Sequence, residues 1–312
     1  MKNEAQNIKK CVALKAHAKI NLTLEVLGER PDGYHELRTV MHSIGLSDIV
    51  RLEAFSAPIG GERIIVECSE PLPERNTARR SAEAYFARAE RIGLDACTGV
   101  RIRITKGIPS EAGLGGASAD AAAVLFGMER LFGALGNEQL FEIGAGIGAD
   151  VPFCLHGGCA LCEGIGERLT ALPALRLPLL VVKGERGVST AALFRSLGAD
   201  EQGSFGNFSG DLAEAITKTA RGETPLSESS AVPMAIMNSL GRAAEAAVPE
   251  IAEYRERLLS SGALGALMSG SGSSVYGIFP SLEAAKNAQP LFADCAFTAV
   301  CSTEEAAFEL IG

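Results

Sequence analysis

Apolar residues in the first quarter of the chain recur mainly at every second position, the period of half-buried strands. Ala16 to Leu27 alternates loosely, meets the turn signal Gly28-Glu-Arg-Pro-Asp-Gly33, and gives way to a second extended run from Glu36 to Leu46. Short strands are predicted at 49–54 and 63–68, and another where Val100, Ile102 and Ile104 alternate with Arg101, Arg103 and Thr105. Elsewhere the period becomes helical. Asn76 caps an amphipathic helix to about Arg91 through Ala78, Ala82, Tyr85, Phe86 and Ala89, and further helices are predicted from Ala121 to Leu131 and over 138–147. Beyond these come strands at Gly157 to Glu163 and Leu177 to Val182, then a helix entered at Gly187 and capped by Ser189 or Thr190. Helices at 232–247 and 249–260 lead to two strands flanking a Gly/Ser turn between Ala266 and Phe279, then a helix at 281–291, a strand at 296–300 and a short terminal helix. The polar, partly Gly/Ser-rich stretch 199–230 is expected to be a mobile connection with short helical turns.

A chain of 312 residues is long for one domain, and the hinge-like Gly164-Ile-Gly166 places the expected boundary there, with domains at 1–166 and 167–312. The net charge of −9 without a lysine or arginine cluster argues against a nucleic-acid partner. No apolar run reaches membrane-spanning length, and Met1 to Lys10 is polar and basic with no apolar core after it, so a cytoplasmic protein is expected. The eight cysteines sit mostly among apolar neighbours and read as reduced core residues. Cys154, His156, Cys159 and Cys162 suggest a metal site only weakly, because on a strand Cys159 and Cys162 face opposite sides and no second CxxC exists.

The chemistry concentrates in Pro109-Ser-Glu-Ala-Gly-Leu-Gly-Gly-Ala-Ser-Ala119, set between a strand and an Ala-rich helix. Gly113, Gly115 and Gly116 allow close approach of a ligand to the backbone, and the unpaired N–H groups of the helix's first turn favour an anion, phosphate above all. A glycine turn capped by Ser118 is the plainer alternative. The loop lacks the Gly-Lys-Ser/Thr ending of a Walker A motif, and Ser118 stands where a dinucleotide fingerprint has its third glycine. Lys19 and Asn21 share one strand face, and Asp150 stands beside a helix end, flanked by apolar residues, where a carboxylate must be hydrogen-bonded, capping or reactive.

Ala18-Lys-Ile-Asn-Leu22, the glycine loop and Met268-Ser-Gly-Ser-Gly-Ser-Ser274 stand in the order of the three signature motifs of the GHMP small-molecule kinases, and the chain resembles that family along essentially its whole length. Arg30-Pro-Asp-Gly-Tyr-His-Glu-Leu37 and Gly148-Ala-Asp-Val-Pro-Phe153, the latter continued by Gly157-Gly158 and Gly164-Ile-Gly-Glu167, are similar to the branch acting on cytidine-diphosphate methylerythritol in non-mevalonate isoprenoid synthesis. The resemblance implies an α+β fold: an N-terminal nucleotide domain like ribosomal protein S5 domain 2, a ferredoxin-like C-terminal domain, and an active site in the cleft between them. It further implies transfer of phosphate from ATP, with Mg²⁺, to the substrate's 2-hydroxyl, in a monomer or weak homodimer.

Carried over by position, Asp150 is the base and Lys19 its cationic partner. The stretch Pro109, Ser110, Glu111, Ala112, Gly113, Leu114, Gly115, Gly116, Ala117, Ser118 and Ala119 holds the nucleotide, with Asn76 and Lys106 near the adenosine. Asn21 and His35 hold the acceptor, Tyr34 and Phe194 sandwich its cytosine, and Thr190 lies near its phosphates. The chain departs from the family at Glu111, Ala117 and Ala119, where glycine is usual, and at Asn238-Ser-Leu-Gly. The alternatives are a mevalonate- or homoserine-type kinase of the same family, which would not need the aromatic pair, and a binding protein without catalysis.

Overall fold

A computed structural model describes residues 10–58, 60–198, 203, 206–221 and 231–311. Its first sheet is built on two long strands, β1 (Cys11–Glu29) and β2 (His35–Ser56), antiparallel along nearly their whole lengths. The runs expected at 36–46 and 49–54 are thus one strand. Its length serves two neighbours: β4 (Thr98–Thr105) pairs with the later part from Ile49 to Ser56, and β5 (Cys159–Gly164) with the earlier part from Leu37 to His42. β3 (Ile64–Cys68) runs parallel to β4. The β1–β2 register shifts between His17 and Ala18 and again between Asn21 and Thr23, so irregularities bracket the four residues that carry Lys19 and Asn21. Such shifts re-aim side chains.

One face of this sheet is covered by α1 (Thr77–Ala89), α2 (Gly116–Phe132), α3 (Asn137–Ile147) and the short α4 (Val151–His156). Ala119, Ala121, Ala122 and Ala123 of α2 are buried, and their small side chains let that helix lie close against β1 and β2.

β6 (Arg168–Leu172) pairs with β5, so the passage expected to be a hinge still belongs to the first sheet. A second sheet follows from β7 (Pro178–Lys183), β9 (Gly265–Met268), β10 (Val275–Ile278) and β11 (Phe297–Ser302), all antiparallel in the order β11-β7-β10-β9. That is a ferredoxin-like arrangement. Between β7 and β9 run α5 (Thr190–Ser196), α6 (Phe208–Ala220), α7 (Ala231–Ala235), the two-residue β8 (Met237–Asn238), α8 (Gly241–Ala247) and α9 (Glu250–Ser260). α10 (Leu282–Ala288) lies between β10 and β11. This unit has its own core, with Leu180, Val182, Ile251, Leu258, Phe279 and Phe292 among its members.

Several local expectations change. The terminal helix is a strand, β12 (Phe308–Leu310), whose backbone pairs with Leu14 to Ala16 of β1 and returns the chain to the first sheet. The helix expected at 232–247 is interrupted at Ile236 to Leu240, where β8 pairs with Thr23 and Leu24 and the Asn238 side chain turns to other backbone groups. Within 199–230, α6 is docked rather than loose. The Glu25 carboxylate accepts from the Phe208 and Ser209 amides at 3.2 and 2.8 Å, and Ser209 Oγ donates to the Arg38 carbonyl at 3.0 Å. Residues 199–202, 204–205 and 222–230 of that stretch lie outside the described residues.

His42 ties the first sheet to the passage into the second. Its Nε2 accepts from the Leu175 amide and its Nδ1 donates to the Ser43 carbonyl, both at 2.9 Å, which fixes a neutral Nδ1–H ring. Burial pushes its pKa down to about 4. Because the folded ring binds protons less readily than the unfolded one, its contribution is complete above about pH 6.5 and is lost as pH falls toward 4. NMR titration is expected to show an uncharged His42 ring at pH 5.5; half-protonation there would contradict this packing.

Candidate active site

The glycine loop lies where the sequence places it, between β4 and α2, and the structure explains its glycines. Gly113 has φ +71°, and a Cβ there would fall 2.0 Å from the carbonyl oxygen of Ser269. Gly115, with φ +72°, is the N-cap of α2, and a Cβ on it would meet the Lys19 stem at 2.9 Å. Ser118 therefore does not cap the helix; it lies in the first turn. The loop is held from both sides. The Lys19 amide donates to Leu114 O at 3.0 Å, Ser269 Oγ donates to Gly113 O at 3.0 Å, and the Ser274 amide donates to Ala112 O at 3.2 Å. Thus three stretches far apart in sequence, on β1, before α2 and between β9 and β10, form one junction.

Two cavities meet at that junction. One, of about 780 Å³, is lined by the loop from Pro109 to Ser118 together with Asn76, Lys106 and Thr190. The other, of about 280 Å³, is lined by Lys19, Asn21, Thr39, Asp150 and Phe194. They share Gly113, Gly115, Ser118, Thr190 and Ser271. Thr190 and Ser271 are joined through their hydroxyls at 2.7 Å, closing the shared wall from the second unit.

Lys19 Nζ lies 3.3 Å from Asp150 Oδ2, with the lysine side chain 5% and the aspartate side chain 31% exposed. The ammonium also donates to Asn21 Oδ1 at 2.7 Å, and Asn21 Nδ2 donates to Thr39 Oγ1 at 2.8 Å. Asp150 stands at the start of α4 with helical backbone angles and makes no capping hydrogen bond. Its carboxylate consequently faces the smaller cavity and its cation, the arrangement of a base with a fixed charged neighbour.

The chain matches the family models for the GHMP kinase N-terminal domain over residues 76–158 and the GHMP kinase C-terminal domain over residues 230–290. It is 42% identical to the 4-diphosphocytidyl-2-C-methyl-D-erythritol kinase of Desulfitobacterium hafniense over 89% of this chain and 91% of the relative. It is also 42% identical to that of Geobacter metallireducens over 89% of this chain and 93% of the relative. The chain belongs to the 4-diphosphocytidyl-2-C-methyl-D-erythritol kinase family. A crystal structure of a 4-(cytidine 5'-diphospho)-2C-methyl-D-erythritol kinase superposes with a TM-score of 0.76 at 33% identity, covering 94% of this chain and all of that one. A homoserine kinase from Cytophaga hutchinsonii, at 19% identity and TM-score 0.73, shares the fold.

In this kinase the expected nucleotide residues fall around the larger cavity except Ala119, which is buried in the core beneath it. Asn76 caps α1 by accepting from the Arg79 amide at 2.9 Å, and Thr77 Oγ1 donates to Ala117 O at 2.7 Å, fastening α1 to the loop. Lys106 is in the cavity wall, but its ammonium is bound to the carboxylates of Asp48 and Asp120. Glu111 has φ +51°, a left-handed conformation in a residue other than glycine. On the acceptor side the Phe194 ring packs on His35, with centroids 4.8 Å apart and planes at 35°. Tyr34, beside His35 on the turn, is 60% exposed, and no ring contact joins it to Phe194 among the described residues.

The sequence reading missed four residues that hold the site. Thr39 orients Asn21. Asn238 Nδ2 donates to Met268 O at 2.9 Å and Gly270 O at 2.8 Å, fixing the second glycine turn over Lys19. Asp48 and Asp120 anchor Lys106. Asp120 stood one residue beyond the loop, and its carboxylate amid alanines was a signal that burial would demand a partner. Burial pushes the thiols of Cys154, Cys159 and Cys162 up, in keeping with inert core residues, and among the described residues no three His, Cys, Asp or Glu side chains converge as metal ligands.

Proposed function

We propose that this kinase transfers the γ-phosphoryl group of ATP to the 2-hydroxyl of 4-diphosphocytidyl-2-C-methyl-D-erythritol, with Asp150 as base and Lys19 as its charged partner. The observation that carries the reading is the meeting of two cavities at Gly113, Gly115 and Ser118, with the Lys19–Asp150 pair on the smaller side. Phosphoryl transfer asks a protein chiefly for positioning and charge neutralisation. The loop amides and the first turn of α2 receive the nucleotide's phosphates. The acceptor hydroxyl enters beside Asp150, which takes its proton as the new P–O bond forms and the bond to the ADP oxygen breaks. Lys19, held by Asn21, offsets negative charge on the transferring group.

Mg²⁺ would be carried on the nucleotide's phosphates, where it would neutralise their charge. The cytosine lies by Phe194 and His35, with exposed Tyr34 covering its outer side. The protein acts in the cytoplasm as a monomer or weak homodimer, with its two units divided between β6 and β7. Among the described residues no helix is long and apolar enough to cross a membrane.

Base stacking contributes about 1–3 kcal/mol per base. Phe194→Ala is therefore expected to raise KM for the cytidine substrate roughly tenfold and change kcat little, because it removes binding common to ground and transition states. Steady-state kinetics at saturating ATP checks this, and an unchanged KM would remove the stacking assignment. Phosphorus NMR of the product tests the reaction itself. A new monoester on the methylerythritol C2 oxygen, with the diphosphate bridge intact, is expected; phosphate on any other oxygen would contradict the placement of Asp150.

A further inference from the structure

Behind the glycine loop lies a cluster that the transfer mechanism does not use. Asp48 of β2 is fully buried. Its Oδ1 accepts from the amides of Gly107 and Ile108 at 2.7 and 2.8 Å, and its Oδ2 accepts from Lys106 Nζ. The same ammonium donates to Asp120 Oδ2 of α2 at 2.8 Å. One carboxylate therefore fixes the backbone entering the loop, the other sits in the first turns of the helix leaving it, and a single lysine joins them. Lys106 and Asp120 both form part of the wall of the larger cavity.

Charge does not balance in this cluster. Two carboxylates share one ammonium in a place where the side chains are 0, 7 and 5% exposed, and Asp120 Oδ1 has no hydrogen-bond partner among the described residues. An unpartnered, buried carboxylate oxygen is costly, and the cost falls when the group holds a proton. Burial, opposed by Lys106 and reinforced by Asp48, moves the Asp120 carboxyl up to about 7. Burial, helped by the charges of Asp150 and Asp120, pushes the neighbouring Cys154 thiol of α4 up and keeps it neutral.

We propose that Asp48, Lys106 and Asp120 form a positioning unit for the nucleotide loop, and that nucleotide binding in the larger cavity is accompanied by proton uptake at the Asp120 carboxyl, whose Oδ1 is buried and unpartnered among the described residues. The inference rests on the reading of that cavity as the nucleotide site. A polyanion placed against the loop makes the local potential more negative and raises the proton affinity of the Asp120 carboxyl behind it. By linkage, the nucleotide then binds more tightly when the unit is protonated and loses affinity as pH rises through the neutral range. Asp48, by holding Gly107 and Ile108, keeps the loop's entry fixed throughout.

The test is calorimetric titration of the protein with Mg·ADP at pH 7 in buffers of different ionisation enthalpy, beside Asp120→Asn, which keeps the shape and the bond to Lys106 but not the titration. If binding raises the carboxyl's pKa by one unit, wild type takes up roughly 0.4 proton more than the variant. Equal uptake by the two proteins would overturn the proposal while leaving the nucleotide site standing. Absence of any Mg·ADP binding to wild type would overturn the nucleotide reading and the proposal with it. Should Asp120→Asn not fold, the pH dependence of Mg·ADP affinity in Lys106→Met gives the second readout. Loss of the lysine removes the cation that favours the ionised Asp120 and moves its titration upward, out of the neutral range, so the variant should show less pH dependence than wild type, and an identical profile would overturn the proposal.

Discussion

Asp150→Asn is expected to lower kcat by about 10³-fold, within the range a positioned general base contributes. The fold should be unaffected, because the side chain is 31% exposed and makes no capping bond to α4. The amide keeps the shape and removes the proton acceptor, so KM for ATP should change little. Lys19→Met is expected to cost a similar factor for a different reason. Its stem lies against Gly115 and only the ammonium is lost, which leaves Asp150 without its neighbour and the transferring group without a cation. The double variant should lose far less than the product of the two factors, since the residues act as a unit. Stopped-time ADP assays on purified variants, with circular dichroism as the check on folding, measure all three. A kcat within threefold of wild type in Asp150→Asn would remove the base.

Gly113→Ala should be a severely damaging single methyl at the site. At φ +71° the left-handed backbone costs an L-residue about 1–2 kcal/mol. The larger effect is steric. The new Cβ would lie 2.0 Å from Ser269 O and 2.9 Å from the Gly272 nitrogen, both backbone atoms of the opposing turn. Either the loop or the turn over Lys19 must move, and with it the wall shared by the two cavities. Mg·ADP affinity is expected to fall more than a hundredfold, or thermal unfolding to show a loss of more than about 3 kcal/mol. Gly133→Ala is the matched control: φ is +60°, but nothing lies within 4 Å of its Cβ, so only the conformational cost remains. Equal effects at the two positions would show that the close approach of the turns is unimportant.

The elements around the reacting groups were legible because their causes are local. Alternation in Val100 to Ile104 marks β4, the glycines mark the loop, and the spacing of Lys19 and Asn21 puts them on one face, as their 2.7 Å contact confirms. Errors arose where tertiary partners decide the conformation. Asn238 breaks a run of helical composition because the Met268 and Gly270 carbonyls need a donor. Phe208 to Ala220 reads as short helical turns in a mobile connection, yet it is one docked helix of 13 residues whose first amides are satisfied by Glu25, on a strand far away in sequence. Phe308 to Leu310 becomes a strand only because β1 presents an edge. Glu111 shows the limit of reading loops by glycine content: its φ of +51° is the conformation for which the family's usual glycine is suited. Tyr34 and Phe194 are assigned to one base by resemblance alone, and the packing of Phe194 on His35, next to Tyr34 in the chain, has no local signal in the sequence.

The most direct measurement is ADP release with Mg·ATP and 4-diphosphocytidyl-2-C-methyl-D-erythritol, run beside mevalonate and homoserine. Turnover is expected with the cytidine substrate and none above background with the other two. Release with mevalonate or homoserine alone would keep a kinase and contradict the acceptor site assigned to Phe194 and His35, and silence with all three would contradict the assignment of Asp150 and Lys19 to catalysis.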